Sequence, residues 1–161
     1  SYIQDQRMKI SKKCDYALRA LMTLAECYGK EPLSIRQLAE RNAVPKRFLE
    51  HIMLDLKAKG WVTSIAGKNG GYLLAKNPDD ISIGEVVRYF DGLLAPIGCV
   101  SISHYESCPL EPLCRFRRIF LIIRNEIAHI IDHTSLSTAI RGEPVRRKEV
   151  FDESLIEGAG I

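Results

Sequence analysis

At 161 residues the chain has the length of one ordinary domain with an appendage. Hydrophobic residues make up 46% and charged residues 27%, a globular mix that excludes disordered, collagen-like and purely coiled-coil chains. No apolar run reaches the roughly 18 residues of a membrane-spanning helix, and no charged start feeds an apolar core, so no secretory signal is expected.

The net charge of +3 is unevenly spread. Residues 7–68 carry 13 Lys/Arg against 6 Asp/Glu, whereas residues 69–161 carry 10 against 13. A basic first half on a slightly acidic remainder suggests a polyanionic partner at one end. Of the five cysteines, Cys14 and Cys27 stand alone in helical sequence, while Cys99, Cys108 and Cys114 crowd into 16 residues. An odd count argues against a disulfide framework.

Met8-Lys9-Ile10 reads as a natural start, with residues 1–7 as a leader. Residues 11–28 are expected to form a helix, with Ala17, Leu18, Leu21, Leu24, Ala25 and Tyr28 near a 3.6 period and Gly29 and Pro32 as stops. Ser34-Ile35-Arg36-Gln37 is a capping box that opens a second helix ending near Arg41. Asn42-Ala43-Val44 then leads to Pro45, which suits the first turn of a third helix. That helix runs to Lys59, with Phe48, Leu49, Ile52 and Leu56 on its inner face and Gly60 as its stop. Residues 61–66 and 71–75 alternate as two strands around Gly67-Lys68-Asn69-Gly70. Three helices followed by a two-stranded hairpin are the order of a winged helix-turn-helix, and a basic residue and an amide at the hairpin tip suit a wing touching DNA.

Ser82-Ile83-Gly84-Glu85 is a second capping box, and Ile83, Val86, Val87 and Phe90 make the following short helix amphipathic. Residues 93–112 keep neither period, and a loop that long is usually functional. A last helix is expected from about Leu113 to His133. Phe116, Phe120, Ile123, Ile127 and Ile130 are spaced 4, 3, 4 and 3, a heptad seam for pairing with a second copy. Beyond Gly142 the tail is charged and aperiodic, and mobility is expected. The expected organisation is therefore a mainly α fold with a small β-hairpin: a DNA-binding domain over 8–78, a connecting helix over 79–92, a cysteine loop over 93–114, a dimerisation helix over 113–140 and a tail over 141–161.

Eight residues separate Cys99 from Cys108, and five separate Cys108 from Cys114. Structural zinc sites use closer pairs and four ligands. Iron–sulfur clusters are held by thiolates and accept irregular loop spacing. The spacing thus favours a cluster, with redox-active thiols as the alternative and a fourth ligand to be found among His104, Glu106, Glu111 or another element. No nucleophile elbow, phosphate loop, dinucleotide glycine pattern or HExxH occurs, so no enzyme activity is expected.

Over residues 8–140 the chain resembles the Rrf2 family of bacterial transcription regulators. The likeness rests on Met8-Lys9-Ile10, Tyr16-Ala17-Leu18-Arg19, Phe48-Leu49-Glu50-His51, Gly70-Gly71-Tyr72-Leu73-Leu74 and Gly84-Glu85-Val86-Val87. It implies a cytoplasmic homodimer that binds double-stranded DNA at an inverted repeat, without a membrane partner. Cys108-Pro109-Leu110 and Cys114-Arg115-Phe116-Arg117 look most like the nitric-oxide and iron-sensing branches, which implies a [2Fe–2S] or [4Fe–4S] cluster on Cys99, Cys108 and Cys114. Where the iron–sulfur-assembly branch has a histidine ligand this chain has Arg117. The nitric-oxide branch implies instead Asp15, from the partner subunit, as the fourth ligand, with His104, Glu106 and Cys14 as competitors. The resemblance also implies a DNA-facing set of Ser34, Arg36, Pro45, Lys46, Arg47, Glu50, Lys68 and Asn69. The resulting reading is a repressor controlled by a labile cluster. Its rivals are a cluster-free regulator working through thiols or a partner protein, and an iron–sulfur carrier.

Overall fold

A computed structural model describes residues 8–156, so the leader expected over residues 1–7 lies outside the described residues. The first helix, α1, spans Lys12–Glu26. Ser11 caps it, its hydroxyl accepting from the Cys14 N–H at 3.0 Å. Ser11 is itself held by Asp91, which accepts from the Ser11 N–H at 2.7 Å and from its hydroxyl at 2.5 Å. The buried side of α1 is Cys14, Ala17, Ala20, Leu21, Leu24 and Ala25, a stripe at helical spacing.

Helix α2, Ile35–Asn42, opens on the expected capping box: the Ser34 hydroxyl accepts from Gln37 N–H at 3.1 Å and Gln37 Oε1 from Ser34 N–H at 2.9 Å. The turn that follows depends on Ala43 in the left-handed region, at φ 51 and ψ 41. Asn42 secures it by donating to the Leu38 carbonyl and to the Thr23 hydroxyl, both at 3.0 Å.

Helix α3 spans Lys46–Ala58, with Pro45 as the residue before it rather than in its first turn. Its inner face is Leu49, Ile52, Met53 and Leu56. Phe48, expected on that face, is 61% exposed, because the buried stripe begins one residue later and turns Phe48 outward. The hairpin is shorter than expected: β1, Val62–Ile65, pairs antiparallel with β2, Gly71–Leu74, Val62 opposite Leu74 and Ile65 opposite Gly71. A bridge from Leu33 to Tyr72 ties the wing to the helices, with N–H···O distances of 3.0 and 2.7 Å. Gly71, at φ +147, allows this approach, since a Cβ there would lie 2.4 Å from the Leu33 carbonyl oxygen.

Ser82 and Glu85 close the second capping box at the start of α4, Ile83–Asp91. Residues 93–112 form the long loop, carrying one-turn 3₁₀ segments at Gly98–Val100 and Glu111–Leu113. The expected last helix is two helices. α5 spans Arg117–Asp132 and α6 spans Leu136–Ile140, so residues 113–116 precede the helix and Phe116 is its cap. Hydroxyls make the break: Thr134 donates to the Ile130 carbonyl at 2.7 Å, and Ser135 accepts from Thr138 N–H at 3.1 Å to cap α6. The chain is also pinned there, with Ile83 N–H on the Thr134 carbonyl and Leu136 N–H on the Ile81 carbonyl, both at 2.8 Å. Leu136 thereby joins Leu21, Leu38, Leu49, Leu56, Trp61 and Val86 in one core. The tail is not without structure, since α7, Arg147–Val150, and α8, Glu153–Ile156, are single helical turns. Among the described residues no helix is long and apolar enough to cross a membrane.

A close helix-to-helix backbone contact joins α4 to the end of α5. A Cβ on Gly84 would sit 2.8 Å from both Cα and N of Asp132. Two helices approach that closely only over a residue without a side chain. Gly84→Ala is expected to destabilise the protein by about 1–3 kcal/mol through this overpacking, despite alanine's better helix propensity, and urea denaturation of both proteins measures it.

Candidate functional site

The exposed side of α3 is Lys46, Arg47, Glu50, His51 and Leu54, lying opposite the buried stripe. Pro45 is exposed before it, and Lys68 and Asn69 are exposed at the wing tip. Lys57 Nζ donates to the Ser64 hydroxyl at 2.6 Å, fastening the end of α3 to the wing. Ser34 is engaged as the α2 cap, and Arg36 pairs with Glu40 at 3.0 Å on an exposed surface where such a pair is weak and easily exchanged for a phosphate. The DNA-facing residues expected from sequence therefore present a cationic helix start and wing. His51 and Leu54, which sequence reasoning had not placed there, lie on the same face; Leu54 is 64% exposed. Their spacing from Arg47, four and seven residues, was the available signal.

The second feature is the cysteine loop. Cys99, Cys108 and Cys114 line one cavity of about 500 Å³, together with Glu106, Glu111 and Arg117. Cys99 is buried, Cys114 half-buried and Cys108 exposed. The wall is mainly apolar, with Ile97, Leu110, Leu113 and Phe116 around the thiols. Three soft donors on a single apolar cavity fit an iron–sulfur cluster by ligand type. Among the described residues, no three of His, Cys, Asp and Glu are close enough together to hold a metal ion.

Of the other proposed ligands, Glu106 lines the same cavity and His104 does not. Asp15 does not line the cavity of its own chain and pairs with Arg19 at 3.0 Å. Glu111 accepts from the Tyr105 hydroxyl at 2.6 Å and from Cys108 N–H at 3.1 Å, and these bonds hold its carboxyl below the usual range. The same bond raises the Tyr105 hydroxyl. Cys14 is buried in the domain, and burial, followed by the Asp91 and Asp15 carboxylates, pushes its thiol up to about 12. Cys14 does not line the cavity that Cys99, Cys108 and Cys114 share. No role is expected for Arg117 from its sequence context. Arg117 instead donates to the Cys99 carbonyl at 2.9 and 3.3 Å, and Arg124 donates to that of Val100 at 3.0 Å.

The third feature is the outer face of α5, which buries none of its residues fully. Arg117, Leu121, Arg124 and Ala128 are the half-covered side, whereas Phe116, Ile119, Ile122, Ile123 and Ile130 are exposed. Of the heptad seam, Phe120 and Ile127 are half-buried at its inner edge.

A winged helix-turn-helix with a cationic recognition face defines a DNA-binding regulator. The Rrf2 family profile, described as an iron-dependent transcriptional regulator, matches residues 10–142, and the chain belongs to this family. It is similar to an rrf2-like HTH-type transcriptional regulator of Rhodobacter capsulatus, 41% identical over 145 residues that cover 86% of this chain and 97% of that protein. It is 29% identical to the transcriptional regulator NsrR of Bacillus licheniformis, over 88% of this chain and 98% of the relative. The solved structure of CymR, the global cysteine regulator of B. subtilis, superposes with a TM-score of 0.70 at 28% identity, covering 84% of this chain and 98% of that one. These relatives are named as transcription regulators, not enzymes.

Cys14 supplies a pH test of the fold. Its thiol, at about 12 against an ordinary 9.0, stays neutral in the folded chain while the unfolded thiol ionises. The stability it contributes is fully present below the unfolded value and is lost as pH rises toward 12. Wild type should therefore lose more unfolding free energy than Cys14→Ala between about pH 8 and about pH 10.5, measured by urea titration at each pH. Equal losses would contradict the assignment.

Proposed function

We propose that this Rrf2 regulator is a cytoplasmic, homodimeric repressor of an inverted-repeat operator, controlled by an iron–sulfur cluster on Cys99, Cys108 and Cys114. The observation that carries this is the meeting of all three cysteines on one cavity next to the start of α5. When bound, the cluster would supply a redox-active iron centre open to small ligands such as nitric oxide. The chain's own residues do the rest. The three thiols would bind it, and the apolar side chains of Ile97, Leu110, Leu113 and Phe116 would border it. Asp15 of the partner subunit is the proposed fourth ligand; a carboxylate is a harder partner for iron than a thiolate and leaves that position exchangeable.

The exposed isoleucines of α5 support a dimer. An apolar helix face of this size is stabilised when a second copy covers it. Two chains related by a two-fold axis present two recognition helices, so half-sites one helical turn or more apart are expected. On each half-site Arg47 would reach phosphate or guanine, Glu50 would accept from cytosine, and Lys46 and Lys68 would contact phosphate. Regulation then requires the cluster-bound and cluster-free forms to differ in DNA affinity. A second reading, a cluster-free thiol regulator, is supported by the likeness to CymR and by the exposed Cys108 thiol.

Anaerobic reconstitution with ferrous iron and sulfide separates the two readings. The first expects a visible absorption spectrum, iron and sulfide in comparable amounts per chain, and loss of all three in Cys99→Ala. Wild type that takes up no iron and sulfide would leave the thiol reading.

For DNA, Lys46→Ala and Lys68→Ala are expected to weaken binding to every sequence and to lower the salt slope by about one each. Glu50→Ala should instead relax base preference at one position. Selection on random-sequence duplexes followed by salt titration checks both, and unchanged specificity in Glu50→Ala would displace the recognition face.

A further inference from the structure

We propose that Arg117 and Glu111 are positioning residues for the three cysteines, and that together with Arg124 they tie the cysteine loop to the first half of α5. The inference rests on the cluster reading for its purpose, although its geometry stands within the chain alone.

Arg117 and Arg124 are seven residues apart, on one face of α5. That face meets the 3₁₀ turn Gly98–Val100, whose carbonyls are all engaged. Gly98 O accepts from Ser101 and Glu106 N–H, at 3.1 Å each. Cys99 O accepts from Arg117 and Val100 O from Arg124. Two guanidinium groups thus fix the backbone on which Cys99 is carried. Glu111 does the same for the other two cysteines. Its carboxylate accepts from Cys108 N–H, its own N–H donates to Cys108 O at 3.1 Å, and its carbonyl accepts from Cys114 N–H at 3.4 Å. The two anchors approach each other, Arg117 Nη2 lying 3.7 Å from Glu111 Oε2. One ion pair therefore connects the backbone positions of Cys99, Cys108 and Cys114.

Charge-assisted bonds to main-chain groups fix direction as well as distance. Groups that orient metal ligands from outside the coordination sphere typically alter metal affinity or activity by 10–100-fold. The same bonds give the loop a mechanical hold on α5. A rearrangement that shifts the Cys99 backbone must break or drag the Arg117 bond at the first residue of that helix.

The test uses the full chain as wild type, Arg117→Met, Arg117→Lys and Glu111→Gln, with circular dichroism to confirm folding. In the iron-free, reduced protein, N-ethylmaleimide labelling of the buried Cys99, read by mass spectrometry, is expected to be severalfold faster in Arg117→Met because the turn that carries it opens more readily, with Arg117→Lys between the two. After anaerobic loading with ferrous iron and sulfide, chelator-driven loss of the cluster should be about tenfold faster in Arg117→Met and in Glu111→Gln, with an altered absorption spectrum that a merely less stable fold would not show. Should Arg117→Met fail to fold, Arg117→Lys and Glu111→Gln carry the same comparison. Cys99 labelling at the wild-type rate in the folded arginine variants overturns the proposal. If wild type takes up no cluster, the cluster reading falls, and the labelling ratio alone decides the positioning role.

Discussion

The contact between Gly84 and Asp132 is the constraint on which the arrangement of this molecule depends. It brings the first turn of α4 against the last turn of α5 at a distance only a glycine permits. Arg88, one turn further along α4, closes on the Asp132 carboxylate with both Nε and Nη2. The following residues are sewn to the strand-like segment before α4 by the Ser82–Ser135 bridge, and Leu136 is buried in the core. Because the C-terminal end of α5 is fixed in this way, its sixteen residues project from the DNA-binding domain in a set direction. The cysteine loop and the apolar face of α5 are placed by that projection.

The DNA-binding half is organised so that burial and charge occupy opposite sides of the same helix. In α3 the buried positions Leu49, Ile52, Met53 and Leu56 repeat at helical spacing, and every residue between them is left outward or at the edge. Core packing and partner recognition therefore do not compete for side chains. Side chains at the edge of α3 fix it in place: Lys13 pairs with Asp55 at 2.9 Å, and Lys57 reaches the wing. The left-handed Ala43 sets the angle between α2 and α3. That conformation costs a non-glycine residue on the order of 1 kcal/mol, offset here by Asn42 and by burial of Val44.

The cysteine loop follows a different logic. It lacks a helical or strand ladder, so the carbonyls of Gly98, Cys99 and Val100 and the N–H groups of Cys108 and Cys114 are satisfied one by one, by arginines, a glutamate and short turns. Such a segment has few alternatives once a bond is broken. It can therefore respond locally to chemistry at its thiols, whereas the helical domain, with one shared core, responds as a unit. The two are joined through α5, which meets the loop at its start and α4 at its end.

Much of the architecture was legible in the sequence, because it is written in local signals. Capping boxes at Ser34 and Ser82, the stop at Gly60, the paired strands around Gly67 and the helical spacing of buried residues each depend on neighbours within a few positions. The crowding of Cys99, Cys108 and Cys114 was legible for the same reason. What the sequence could not decide required partners distant along the chain. Phe48 turns outward because a 3.6 period leaves two adjacent stripes nearly equivalent until the neighbouring helices choose one. The helix expected from about Leu113 starts only at Arg117, and the dimerisation segment expected over 113–140 breaks after Asp132, because the loop and the segment before α4 capture its ends. Arg117 and Arg124 carry no local mark of their role, and only the fold brings them to the carbonyls of Cys99 and Val100, 18 and 24 residues earlier in the chain. Local sequence determined the elements and the kind of chemistry they bear. Long-range packing decided which faces are covered, where the last helix ends and which charges hold the cysteines, because those outcomes depend on contacts that exist only once the elements have met.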